Sequence, residues 1–119
     1  MNKVCIVEPD KTWAYEIRRK LSVLNCECII INEFDKVDMY IKQYSPDLVL
    51  MDVILPAMSG YYWCSKIHKV STIPIIFLSE DDDGINPNIV RSMGGAGFIT
   101  KTFRSPSLQQ TVLKFLRNQ

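Results

Sequence analysis

The chain has 119 residues, 47% of them hydrophobic and 23% charged, which suits one compact globular domain and excludes a disordered chain or two full domains. Lys and Arg number 14 against 13 Asp and Glu, so the formal net charge is +1, without the basic excess expected of a nucleic-acid binder. No apolar run approaches the roughly 18 residues of a membrane span, and Val4-Cys5-Ile6-Val7 is too short for a signal-peptide core, so no membrane insertion is expected.

Strand and helix alternate along the chain. The apolar run in Lys3–Glu8 predicts a buried strand. Trp13, Ile17, Leu21 and Leu24 recur at helical spacing, predicting a helix over Lys11–Leu24 with Asp10 as its N-cap. Cys26–Ile31 is rich in isoleucine and predicts the second strand, and Val37, Tyr40, Ile41 and Tyr44 predict a short helix that stops before Pro46. Leu48–Met51 predicts a third strand ending in Asp52, and Tyr61–Val70 a third helix. Ile73–Ser79 reads as the fourth strand, with Pro74 near its start, where a missing N–H is tolerated. Ile85–Met93 predicts a short helix, Phe98–Thr100 a fifth strand and Leu108–Leu116 a last helix. Five such βα units imply a parallel sheet with helices on both faces.

The four cysteines carry no metal or disulfide pattern. Cys26 and Cys28 are one residue apart with no second pair to answer them, and Cys64 with His68 cannot complete a zinc site. They read as reduced, packed thiols of a cytosolic protein. Glu80-Asp81-Asp82-Asp83 reads as a solvated loop.

In open parallel sheets ligands bind beyond the carboxyl ends of the strands. The polar residues there are Glu8, Asp52, Ser79 and Lys101. Two carboxylates, a hydroxyl and an ammonium suit a hard cation and a phosphoryl group, since a carboxylate can act as nucleophile and lysine offsets phosphoryl charge. Any one of these residues could equally be a turn former or helix cap. Asp52 is harder to dismiss, because it interrupts an apolar run and Asp is rarely buried unpaired.

Five stretches in register resemble the receiver domain of two-component response regulators: Val4–Glu8, Pro46–Asp52, the Asp52-x3-Pro56-x3-Gly60 turn, Ile75–Ser79 and Phe98–Lys101. Tyr61–Cys64 and Val70–Pro74 further resemble the OmpR/PhoB-type regulators of the envelope-stress and peptide-antibiotic subgroup. The resemblance covers essentially the whole chain. It implies a doubly wound, flavodoxin/CheY-like α/β fold with strand order 2-1-3-4-5, a receiver over residues 1–119 and a cytoplasmic phosphorelay with a sensor histidine kinase as partner. DNA would be reached only through a C-terminal winged-helix domain that these residues do not contain. It implies Asp52 as phosphoacceptor and Glu8, Asp52 and the main-chain carbonyl of Ile54 as Mg²⁺ ligands. Ser79 would be the switch hydroxyl, Phe98 the switch aromatic and Lys101 the phosphoryl contact.

Several positions depart from the family pattern. Pro9 replaces the second acidic residue after the first strand, so a weak or absent Mg²⁺ site is expected, with Asp10 either substituting or capping the helix. Glu80 stands where a small residue is usual; its carboxylate would repel a phosphoryl group unless it swings out to solvent or helps hold the cation. Thr102 replaces the proline after the site lysine; a cis Lys101–Thr102 bond would cost about 3 kcal/mol, so either a trans bond with Lys101 somewhat displaced or a cis bond held by tertiary context is expected. Ala96-Gly97, Ser107 and Thr111 replace the charges of the usual dimer face, so a homodimer there would need other contacts.

An enzyme reading lacks motifs. Ile54 stands where a haloacid-type phosphatase needs a second Asp, no Cys-x5-Arg or P-loop occurs, and Gly94-Gly95-Ala96-Gly97 precedes a strand instead of following one. Two readings stay open: a phosphorylated receiver, and a pseudo-receiver that uses the fold for phosphorylation-independent protein interaction or dimerisation. Trp13 and Trp63, on helices flanking the proposed site, are candidate fluorescent reporters of its occupancy.

Overall fold

The structure, a computed structural model, describes residues 1–80, 86–102 and 107–116. Five parallel strands, β1 (Asn2–Val7), β2 (Cys26–Ile31), β3 (Leu48–Asp52), β4 (Ile75–Ser79) and β5 (Gly97–Thr100), lie in the order 2-1-3-4-5. This is the expected doubly wound sheet. The order reverses beside β1, which opens a crevice between the carboxyl ends of β1 and β3.

Period-two alternation in the strands separates two apolar layers. Val4, Ile6, Leu48, Leu50, Ile76, Leu78 and Ile99 face α1 (Lys11–Leu21) and α5 (Ser107–Leu116). Cys5, Val7, Val49, Met51, Ile75 and Phe77 face α2 (Val37–Tyr44), α3 (Gly60–His68) and α4 (Pro87–Ser92). Because both faces are covered, the central strands are apolar throughout, which is why they read as runs and not as alternations.

Helix boundaries differ from the periodicity where local hydrogen bonding overrides it. α1 ends at Leu21 instead of Leu24, because the Ser22 and Leu24 N–H groups turn back onto Arg19 O and Leu21 O. Leu24 still packs on the α1–α5 layer, so its periodic spacing reflects a core contact outside the helix. α3 begins at Gly60, since Ser59 Oγ accepts from the Tyr62 N–H. Pro74 precedes β4, where its carbonyl still takes the Val49 N–H. The expected helix start at Ile85 and the Asp81–Asp83 run lie outside the described residues. All four cysteines are free; burial pushes Cys5 and Cys28 up to about 12 and Cys64 up to about 11, and raises Cys26 as well, in keeping with packed thiols.

Candidate functional site

Glu8, Asp52 and Lys101 each continue the alternation of their strand on the side facing α1 and α5. Glu8 follows Val4 and Ile6, Asp52 follows Leu48 and Leu50, and Lys101 follows Ile99. The register of β1 with β3, of β3 with β4 and of β4 with β5 then brings three strand ends to one point. Lys101 Nζ donates to Glu8 Oε1 at 2.6 Å and to Asp52 Oδ2 at 2.9 Å. All three side chains are buried, with only 5% of Lys101 and 1% of Glu8 exposed, so the two ion pairs are well sheltered from solvent.

The second oxygens of the two carboxylates differ. Glu8 Oε2 accepts the Asp10 N–H at 3.0 Å. Asp52 Oδ1 is buried without a hydrogen-bond partner. Burial, with Glu8 hydrogen-bonded beside it, drives the Asp52 carboxyl up to about 8, although Lys101 pulls the other way. Burial alone would lower the Lys101 ammonium, but its bonds to Glu8 and Asp52 outweigh that and hold it above its ordinary value. The site is therefore a buried pair of carboxylates bridged by one ammonium.

The surrounding cavity, about 560 Å³, is lined by Glu8, Pro9, Asp10, Asp52, Val53, Ile54, Leu78, Ser79, Glu80 and Lys101. All of the strand-end candidates thus border one space. Ser79 ends β4, and its carbonyl accepts the Lys101 N–H at 2.6 Å, tying the two strand ends together. Phe98 lies instead on the opposite layer, half-buried against the core that contains Phe77. The Ile54 side chain is 85% exposed, so only its main chain is suited to the site.

Local contacts settle the positions that depart from the receiver pattern. The Lys101–Thr102 bond is trans, no cis peptide occurring among the described residues, yet Lys101 still reaches Asp52. Asp10 caps α1: its Oδ1 accepts from Thr12 N at 2.8 Å and Trp13 N at 3.3 Å. Glu80 Oε1 stands 3.9 Å from Lys101 Nζ with its side chain 70% exposed, at the rim of the site and turned largely to solvent. Trp13 joins the site directly, its ring lying 5.5 Å from Lys101 Nζ. The helical spacing that marks Trp13 as a packing residue carries no sign of that contact. Trp63, by contrast, is buried on the α3 side.

The donor set suits an oxygen-preferring cation, because Glu8 and Asp52 offer carboxylates and Asp52 Oδ1 is an acceptor in need of a partner. The set is sparse. Pro9 offers no side-chain oxygen, Asp10 Oδ1 is committed to the helix, and among the described residues no three His, Cys, Asp or Glu side chains gather to enclose an ion.

The chain matches the response regulator receiver domain family over residues 4–113 and belongs to it, as a receiver of the OmpR/PhoB type. It is 33% identical over 117 residues to the sensory transduction protein BceR of Halalkalibacterium halodurans, an alignment covering 98% of this chain and 51% of that protein. It is 32% identical over 101 residues to the response regulator protein GraR of Staphylococcus aureus, covering 85% of this chain and 45% of that one. The chain thus spans about half the length of the curated relatives it matches. Among solved structures it is similar to the N-terminal domain of the nisin resistance regulator NsrR, with 35% identity, a TM-score of 0.89 and coverage of 98% of this chain and 99% of that one. It is also similar to the BeF3-activated receiver domain of RstA from Klebsiella pneumoniae, with 28% identity, a TM-score of 0.88 and the same coverage. Receiver domains of this family are signalling modules of two-component systems and typically bind Mg²⁺. No helix among the described residues is long and apolar enough to cross a membrane.

Proposed function

We propose that this receiver accepts a phosphoryl group on Asp52 from a sensor histidine kinase in the cytoplasm and relays the change to a transcriptional output. One observation supports it above others: Lys101 Nζ lies 2.9 Å from Asp52 Oδ2 while Asp52 Oδ1 has no partner. A nucleophile needs an uncommitted oxygen, and the arriving charge needs a fixed cation.

In the reaction an Asp52 oxygen attacks phosphorus as the P–N bond to the kinase imidazole breaks. The bonding pair leaves with the imidazole, which takes up a proton. Lys101 stays at hand for the phosphoryl oxygens, Ser79 donates its hydroxyl to one of them, and Phe98 repacks behind Ser79. Glu8, Asp52 and the Ile54 main-chain carbonyl would hold Mg²⁺, which when bound neutralises phosphoryl charge. With Pro9 supplying no carboxylate, we place Mg²⁺ binding in the weak range for such a small, reluctantly dehydrated ion. Glu80 at the rim adds like charge and slows transfer. The relatives are about twice as long, and we assign the output to a DNA-binding region beyond this receiver. A homodimer would have to form without the charged pairs that Ala96, Gly97, Ser107 and Thr111 cannot supply.

The test is incubation with acetyl phosphate or phosphoramidate, with and without Mg²⁺, read by intact mass. Slow, partial addition of one phosphoryl group, abolished by Asp52→Ala, is expected. No addition under any condition would replace this reading with the pseudo-receiver. Fast, complete addition would show that Pro9, Glu80 and Thr102 do not slow the chemistry.

A further inference from the structure

Lys101 is a flexible side chain pulled by two carboxylates, and a long ammonium side chain carries substantial rotamer entropy. Something must define its third side. Glu8 and Asp52 hold it from the β1 and β3 ends. On α1 the Trp13 ring stands 5.5 Å from Nζ, within range for a cation over an aromatic face. Trp13 is itself fixed. Its main-chain N–H is held by Asp10 Oδ1 at 3.3 Å, and the Asp10 N–H is bound to Glu8 Oε2 at 3.0 Å. Glu8, Asp10, Trp13 and Lys101 therefore close a ring of contacts around the ammonium, with Pro9 stiffening the link between the first two.

We propose that Trp13 is a positioning residue for Lys101: its indole, set by the N-cap of α1, holds the ammonium between Glu8 and Asp52. The proposal rests on the reading of Asp52 as phosphoacceptor only for its kinetic consequence. Phenylalanine and leucine are both smaller than tryptophan, so an indole serving packing alone would lose volume in either variant, whereas only leucine offers no π face to a cation.

The full chain is compared as parent, Trp13→Phe and Trp13→Leu. A short pulse of acetic anhydride is read by peptide mass spectrometry as Lys101 labelling relative to the exposed Lys36. Lys101 should stay protected in the parent and the Phe variant and label about tenfold faster in the Leu variant. Equal Lys101 labelling in parent and Leu variant, with circular dichroism unchanged, overturns the proposal. Should Trp13→Leu not fold, the same contact is read from its other side. In a Trp63→Phe background, Lys101→Met should alter Trp13 emission, and an unchanged spectrum overturns the proposal.

With acetyl phosphate, Trp13→Leu should slow the saturated rate of addition to Asp52 about tenfold while leaving the half-saturating concentration unchanged. Combined with Lys101→Met it should cost nothing further, because both changes remove one device. A full additional loss in the double variant overturns the proposal. Absence of any phosphoryl addition in the parent would sink the proposed function and leave the labelling result to decide the role of Trp13.

Discussion

Replacing Asp52 with Asn should stabilise the domain, and by an amount that depends on pH. Asp52 is 7% exposed, shares its surroundings with the Glu8 carboxylate, and has its carboxyl raised to about 8. In the unfolded chain an aspartate titrates near 3.9. The folded protein therefore binds more protons than the unfolded one between these two values. A raised carboxyl contributes stability that is fully present below about pH 4 and is lost as pH rises through about 8. Asn removes that loss, because it does not ionise and Lys101 keeps its bond to Glu8. A tenfold difference in proton affinity between the folded and unfolded chains corresponds to about 1.4 kcal/mol. Lys101 opposes the shift and loses its bond to Asp52 in the variant, so only part of that free energy is recovered. We expect Asp52→Asn to exceed the parent by about 2 kcal/mol at pH 8 and by about zero at pH 4. For a domain of this size that is roughly 8 °C in Tm at the higher pH. Urea unfolding of both proteins from pH 4 to pH 8 measures the difference directly. Parallel stability curves, or a variant less stable than the parent at pH 8, would refute the account of Asp52 as a buried, reluctantly ionised carboxylate.

Three further outcomes follow from the same geometry. Pro9→Asp should tighten Mg²⁺ binding about tenfold or more by supplying a missing anionic ligand, followed through Trp13 fluorescence; equal affinity in both proteins contradicts the assignment of position 9. Gly60→Ala should cost about 2–3 kcal/mol in urea unfolding, because a Cβ there would overlap the main-chain carbonyl of Asp52; a neutral substitution would mean that the β3–α3 turn yields easily. Asp10→Ala should cost about 1 kcal/mol as the α1 cap is lost, and retained parental stability would show that the Thr12 and Trp13 N–H groups find water instead.

The amino-acid sequence alone makes the βα alternation legible, because buried parallel strands are apolar on both faces and stand out as short runs between amphipathic helices. It also determined the candidates Glu8, Asp52, Ser79 and Lys101, since ligands gather where such strands end. Even their common side was legible: Glu8, Asp52 and Lys101 share the parity of the residues that pack on α1 and α5. How they meet depends on the folded sheet. Glu8 and Lys101 are 93 positions apart, and their 2.6 Å contact depends on register across four strands, which no local pattern encodes. Asp10 acts as a cap because its carboxylate accepts the first N–H groups of α1, a contact that only the folded turn defines. The trans geometry of Lys101–Thr102 and the solvent-facing pose of Glu80 were likewise balances between local preference and long-range contact. Trp13 shows the limit most plainly. Its spacing marked it as a helix-packing residue, but a side chain at the top of α1 meets the end of β5 only after the sheet has closed, and there its ring faces the ammonium of Lys101.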